Sequence, residues 1–170
     1  MKILEPELVP IQFWRRRSHP LTSSGWGEVR KQELARTGNK CEYCGTKYDK
    51  GLIIHHEYEF KVEQRDKINS DGSIDTTIQR YVSGYAVSCK YCNLVLHWQF
   101  ASGIGRSNFA VQHLMKIRNM TEEQARNLIL EKVNLWVERC KMTAVFGDAD
   151  RYLFRSDNIY VDTQTGLELR

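Results

Sequence analysis

From Thr121 onward, apolar residues return at three- and four-residue intervals: Ala125, Ile129, Val133, Trp136, Val137 and Cys140 fall on one side of a helical wheel. The stretch "TEEQARNLILEKVNLWVERCKM" therefore predicts a helix, opened by a capping box of Thr121 and Gln124. Its stripe reads as core packing, with Cys140 as a buried thiol. The preceding "RSNFAVQHLMKIRNM" predicts a second helix, reached through a short connection. "NLVLHWQF" has the apolar density of a helix packed on strands, ending near "ASGIG". "SSGWGEVRKQELARTGN" predicts a short helix with a Ser start and Gly38 as its stop.

Between these helices the pattern changes. "LIIHHEYEFKVEQ" is rich in Ile, Tyr, Phe and Val and predicts a strand, and "TTIQRYVSGYAVS" predicts the return strand. The Asn, Ser, Asp and Gly of "KINSDGSID" mark the turn between them. Residues 1 to 22 read as an irregular leader holding all three prolines, and the tail from about Gly147 has turn residues and one possible terminal strand. The expected organisation is a leader over 1–22, a core over 23–105, a helical extension over 106–146 packed on that core, and a tail over 147–170. The fold class is α+β.

Composition narrows the setting. A chain of 170 residues, 41% hydrophobic and 27% charged with four Trp, can fold as one domain with extensions. No apolar run reaches membrane-spanning length, and "MKILEPELVP" lacks the apolar core and cleavage site of a signal peptide. These features point to an intracellular, cytoplasmic protein. The net charge of +4 permits a nucleic-acid partner without requiring one. The clearest basic cluster is Arg15, Arg16 and Arg17 beside Phe13 and Trp14, a solvated segment unless the chemistry points to phosphate.

The cysteines carry more. Four of the five form two C-x-x-C pairs, Cys41 with Cys44 and Cys89 with Cys92. Zinc in a structural site takes four thiolate or imidazole ligands in a tetrahedron, and two such turns supply them from opposite sides. A redox reading is weaker, because neither pair opens a helix in a βαβ setting. Four thiolates leave no open position, so this zinc is structural and any chemistry belongs to other residues. It would hold residues 45 to 88 as a hairpin.

Immediately after Cys92 come Asn93 and, four residues later, His97, two positions that share a helix face. His55 and His56 lie in the strand that the zinc clamps beside that helix. Asn93, His97 and His55 can together hold one divalent cation with open positions, which is what metal-assisted hydrolysis requires. Taken singly, each has a plainer role: a satisfied core histidine for His55, a helix cap for Asn93. His19 and His113 have no motif around them and read as structural or surface residues.

The order "CEYCG", "HHEYEF" and "CKYCNLVLH" resembles the HNH endonuclease superfamily with its ββα-metal fold, over about residues 26 to 100. The resemblance implies a ββα-metal core stapled by the four-Cys zinc, with an N-terminal helix and two added C-terminal helices. It implies His55, Asn93 and His97 as ligands of a catalytic divalent cation, Mg²⁺ foremost, with Mn²⁺, Ni²⁺ or Zn²⁺ as alternatives. It implies His56 as the general base that takes a proton from water. The expected activity is a metal-dependent DNA endonuclease or nickase acting on double-stranded DNA. A monomer would nick and a homodimer would cut both strands. Arg15, Arg16, Arg17, Lys90 and Arg106 are the expected phosphate contacts. Glu57 and Glu59 read as solvent-facing strand positions, with auxiliary ligation as the alternative. The competing reading is a catalytically inactive zinc-stapled module that binds nucleic acid or protein. A third is a zinc-ribbon-like subunit docked through the helices at 107 to 141. Because neighbours on a regular strand face opposite ways, two histidines serving one site predict a bulge or strand end beside them.

Overall fold

The computed structural model describes residues 1–13, 23–68, 74–144, 152–155, 159–162 and 168–169. Helix α1 spans Ser23–Thr37. It ends as its sequence predicts, because Gly38 and Asn39 turn the chain with φ of 60° and 57°, conformations that close a helix. Strands β1 (Ile53–Ile68) and β2 (Ile74–Ser88) then form a long antiparallel hairpin.

The stretch read as one helix after Cys92 is two. Helix α2 (Lys90–Leu96) stops at His97, whose φ of −94° and ψ of 55° leave the helical region, and α3 (Trp98–Gly103) restarts beyond it. Helices α4 (Ser107–Arg118) and α5 (Glu122–Lys141) follow. The capping box of α5 is present: the Thr121 N–H donates to Gln124 Oε1 at 2.8 Å and the Gln124 N–H to Thr121 Oγ1 at 3.2 Å.

Strand β3 (Thr143–Ala144) pairs in parallel with Thr77 and Ile78 of β2. Among the described residues the tail holds three strands where one was expected: β4 (Tyr152–Arg155), β5 (Ile159–Asp162) and β6 (Glu168–Leu169) form a second sheet. The protein is a mixed α+β fold. No helix among the described residues is long and apolar enough to cross a membrane.

One core joins these parts. Leu52, Ile54, Tyr85 and Val87 of the hairpin, Val95 and Leu96 of α2, Val111 and Leu114 of α4, and Ala125 and Ile129 of α5 belong to a single buried cluster. The α5 stripe departs from its prediction in its second half. Val137 is 39% exposed, and Cys140 is half-buried, its Sγ accepting the Ile11 N–H at 3.5 Å. There the helix packs against the leader instead: Trp136 Nε1 donates to the Val9 carbonyl at 3.0 Å and Lys132 pairs with Glu5 at 2.9 Å. Leu4 and Leu8 of the leader are buried, so these first residues are packed although irregular.

Glu42 ties three elements together. Its carboxylate accepts from Arg36 of α1 at 2.9 Å and from the Val87 N–H of β2 at 2.7 Å, while its own N–H donates to the Val87 carbonyl at 2.8 Å. Burial pushes this carboxyl up, but Arg36 and the Val87 N–H outweigh it and hold the pKa below its usual 4.5. Glu42→Gln should cost roughly 1–2 kcal/mol, tempered by solvent around a half-exposed Arg36. A depressed folded pKa stabilises above the unfolded value, so the gap between wild type and variant should be full above pH 4.5 and shrink below it. Urea unfolding at several pH values measures both.

Candidate metal centre and histidine pair

The first cysteine pair sits in a tight knuckle. The Gly45 N–H donates to the Cys41 carbonyl at 2.9 Å, and Gly45 takes a φ of 71°, which glycine adopts without strain. The second pair opens α2. Cys89 is its N-cap, extended at φ −79° and ψ 163°, and its sulfur accepts the Cys92 N–H at 3.4 Å. The end of β2 leads directly into that cap, so the hairpin register delivers the second pair to the first.

The ligating sulfurs of Cys41, Cys44, Cys89 and Cys92 lie within 4.8 Å of one another, and none is in a disulfide. Cys44 and Cys89 Sγ stand 4.0 Å apart. Zinc–sulfur bonds of about 2.3 Å in a tetrahedron require sulfur separations of about 3.8 Å. The donor set fits a structural metal such as zinc. The sulfurs interact strongly: hydrogen bonding with Cys89 pushes the Cys41 thiol up to about 11 and Cys41 and Cys89 raise Cys92, while the same contacts lower Cys89. Four thiolates at this spacing need a cation among them.

His113 of α4 joins this centre, its Nε2 lying 3.2 Å from Cys92 Sγ. An imidazole N–H donated to a ligating sulfur orients it and offsets its charge. With no motif around it, His113 reads in the sequence only as a structural or surface residue; it sits 21 residues from Cys92 and is held there by the packing of α4 on α2. Glu7, likewise unremarked, reaches the histidine site from the leader.

The hairpin sorts the two histidines onto opposite faces. His55 pairs with Ala86 and His56 with Tyr85 in regular register. The expected irregularity is present: the register shifts between Glu57 and Tyr58, leaving Ser83 as the extra residue on β2. His55 points toward α2 and is 2% exposed. Its Nδ1 lies 3.1 Å from His97 Nε2, and its Nε2 lies 2.6 Å from Glu7 Oε2. Burial brings the His97 pKa down to about 4, repulsion from His55 adds to this and Glu7 opposes it, so His97 is neutral at physiological pH. Asn93 stands one turn before His97 on α2, with its Oδ1 accepting from Ser88 Oγ at 3.4 Å.

His56 occupies the other face, under α1. Its ring stacks on Trp26 at 5.1 Å and 3°, stacks on Tyr58 at 5.9 Å and meets Tyr85 edge-on at 5.2 Å. The structure therefore brings His55 and His97 into contact and sets His56 behind the strand from both. Glu57 pairs with Lys2 and is not a freely solvated position, whereas Glu59 is exposed. Lys90 and Arg106 are exposed, Lys90 lying over the Tyr91 ring. Arg15, Arg16, Arg17 and His19 fall outside the described residues.

No family model, curated protein or solved structure matches this chain.

The purified protein should carry one tightly held zinc per chain, read by elemental analysis. Stripping it with a chelator, or Cys89→Ser, should abolish the cooperative unfolding transition. His113→Ala should leave the stoichiometry at one while weakening zinc retention about 10- to 100-fold in competition with a chromogenic chelator.

Proposed function

We propose that this protein is a metal-dependent DNA endonuclease or nickase of the HNH type, built on a ββα-metal core in which the hairpin β1–β2 and helix α2 carry the site. The observation that supports it most is the 3.1 Å approach of His55 Nδ1 to His97 Nε2 beside the four-cysteine cluster. Two nitrogens bound at about 2.0–2.1 Å to one ion stand roughly 2.8–3.4 Å apart across octahedral and tetrahedral geometries. The pair is compatible with a shared cation, and Asn93, four residues before His97, would add an oxygen in this reading.

A divalent cation held there would polarise the scissile phosphate and offset charge on the leaving 3′ oxygen. The chain's own residues supply the rest. His55 and His97, one on the strand and one at the end of α2, give two ring-nitrogen donors in a buried setting and leave further positions to phosphate and water. His56 is the general base, held by Trp26, Tyr58 and Tyr85 so that its ring has a fixed plane from which to accept a water proton. Lys90 and Arg106, exposed at the starts of α2 and α4, are suited to backbone phosphates, with Arg15, Arg16 and Arg17 of the leader added to them.

One observation favours the alternative, a zinc-stapled binding module without catalysis: His56 is enclosed by three aromatic rings on the face away from His55 and His97. Supercoiled plasmid separates the two. The nuclease reading expects relaxed circles with Mg²⁺ or Mn²⁺ and a drop of about 10²- to 10⁴-fold for His56→Ala, with zinc content unchanged. Plasmid left intact with every divalent metal, yet shifted in a gel by the wild-type protein, would select the binding module.

A further inference from the structure

Glu7 lies outside every motif that defines the site, yet it touches three parts of it. Its backbone N–H donates to the Leu96 carbonyl at 2.9 Å, one residue before His97. Its Oε1 accepts the Tyr58 N–H at 2.7 Å, beside the register shift of β1. Its Oε2 lies 2.6 Å from Nε2 of the buried His55. One leader residue thus ties the end of α2 through its backbone, and the irregular point of β1 and His55 through its carboxylate.

This arrangement determines which nitrogen of His55 carries the proton. A carboxylate accepts and does not donate, so His55 Nε2 carries a proton, and in the neutral ring Nδ1 holds the lone pair. That lone pair is the one aimed at His97. Histidines that bind metals generally donate their second N–H to a carboxylate, which fixes tautomer and ring orientation and raises ligand basicity.

We propose that Glu7 is the positioning residue of the cation site, holding His55 as the Nε2–H tautomer with Nδ1 presented to a divalent ion shared with His97. The inference rests on the nuclease reading for the presence of that ion, but its core is a property of this chain. The stretch of the leader around Glu7 is then a working part of the site.

Glu7→Gln makes the test sharp. The amide oxygen can take the Tyr58 N–H, but the amide NH₂ then faces His55 Nε2. That nitrogen must become an acceptor, the ring proton moves to Nδ1, and the lone pair facing His97 is lost. Long-range ¹H–¹⁵N correlation spectra of the zinc-loaded protein read the tautomer directly, and titration of the same samples with Ni²⁺ or Mn²⁺ by calorimetry reads the second site. We expect Nε2–H in wild type, Nδ1–H in Glu7→Gln, and cation affinity about 10- to 100-fold weaker in the variant. If Glu7→Gln does not fold, Glu7→Ala serves, with loss of the Nε2–H preference expected. An unchanged tautomer, or unchanged cation affinity, in a folded Glu7 variant would overturn the positioning role. A wild type locked as Nε2–H that binds no second cation upholds the hold of Glu7 on the ring and overturns the nuclease reading instead.

Discussion

Four sulfurs within 4.8 Å of one another cannot all ionise unless a cation lies among them, and the rest of the structure is arranged around that constraint. The cluster joins a knuckle after α1 to the N-terminus of α2, closing the loop that contains the whole hairpin. A closed loop fixes where β2 ends, and β2 runs into Cys89 without a spare residue. The first turn of α2 is therefore held by sulfur at one end, and the position of His97 at its other end follows from the helix length. His113 adds a donor to Cys92 from α4, so the helical part of the chain is also tied to the cluster.

The hairpin converts that anchoring into two separate environments. Side chains alternate along β1, so His55 meets α2 and the leader while His56 meets α1. The pairing of Ile54 with Val87 and of His56 with Tyr85 puts large apolar groups on the α1 face. The other face carries Ala86 and Ser88 opposite His55 and Ile53, leaving room for the polar contacts of Asn93, His97 and Glu7. Small residues on β2 thus leave space for polar side chains on one face of the hairpin only.

The leader and α5 explain each other. The first half of the α5 stripe enters the common core through Ala125 and Ile129, and the second half contacts the leader through Trp136, Arg139 and Cys140. Those contacts hold residues 5 to 12 in a defined path although they form almost no regular secondary structure. A packed leader can deliver Glu7 to a buried histidine, which a solvated one could not do reproducibly.

Much of this was legible along the chain. Period, capping and turn residues placed α1, α4, α5 and both long strands, and C-x-x-C spacing selected the four ligating sulfurs, because each of these rests on interactions within a few residues. The break of the helix at His97, the three-stranded tail and the half-exposed end of the α5 stripe were not legible, since pairing and packing partners decide them. The sequence by itself determined the order of the cysteines and histidines and which types of ligand they offer. The tertiary structure decided which ring nitrogens meet and who stands behind them: Glu7 reaches His55 across 48 residues and His113 reaches Cys92 across 21, distances over which no local periodicity carries information.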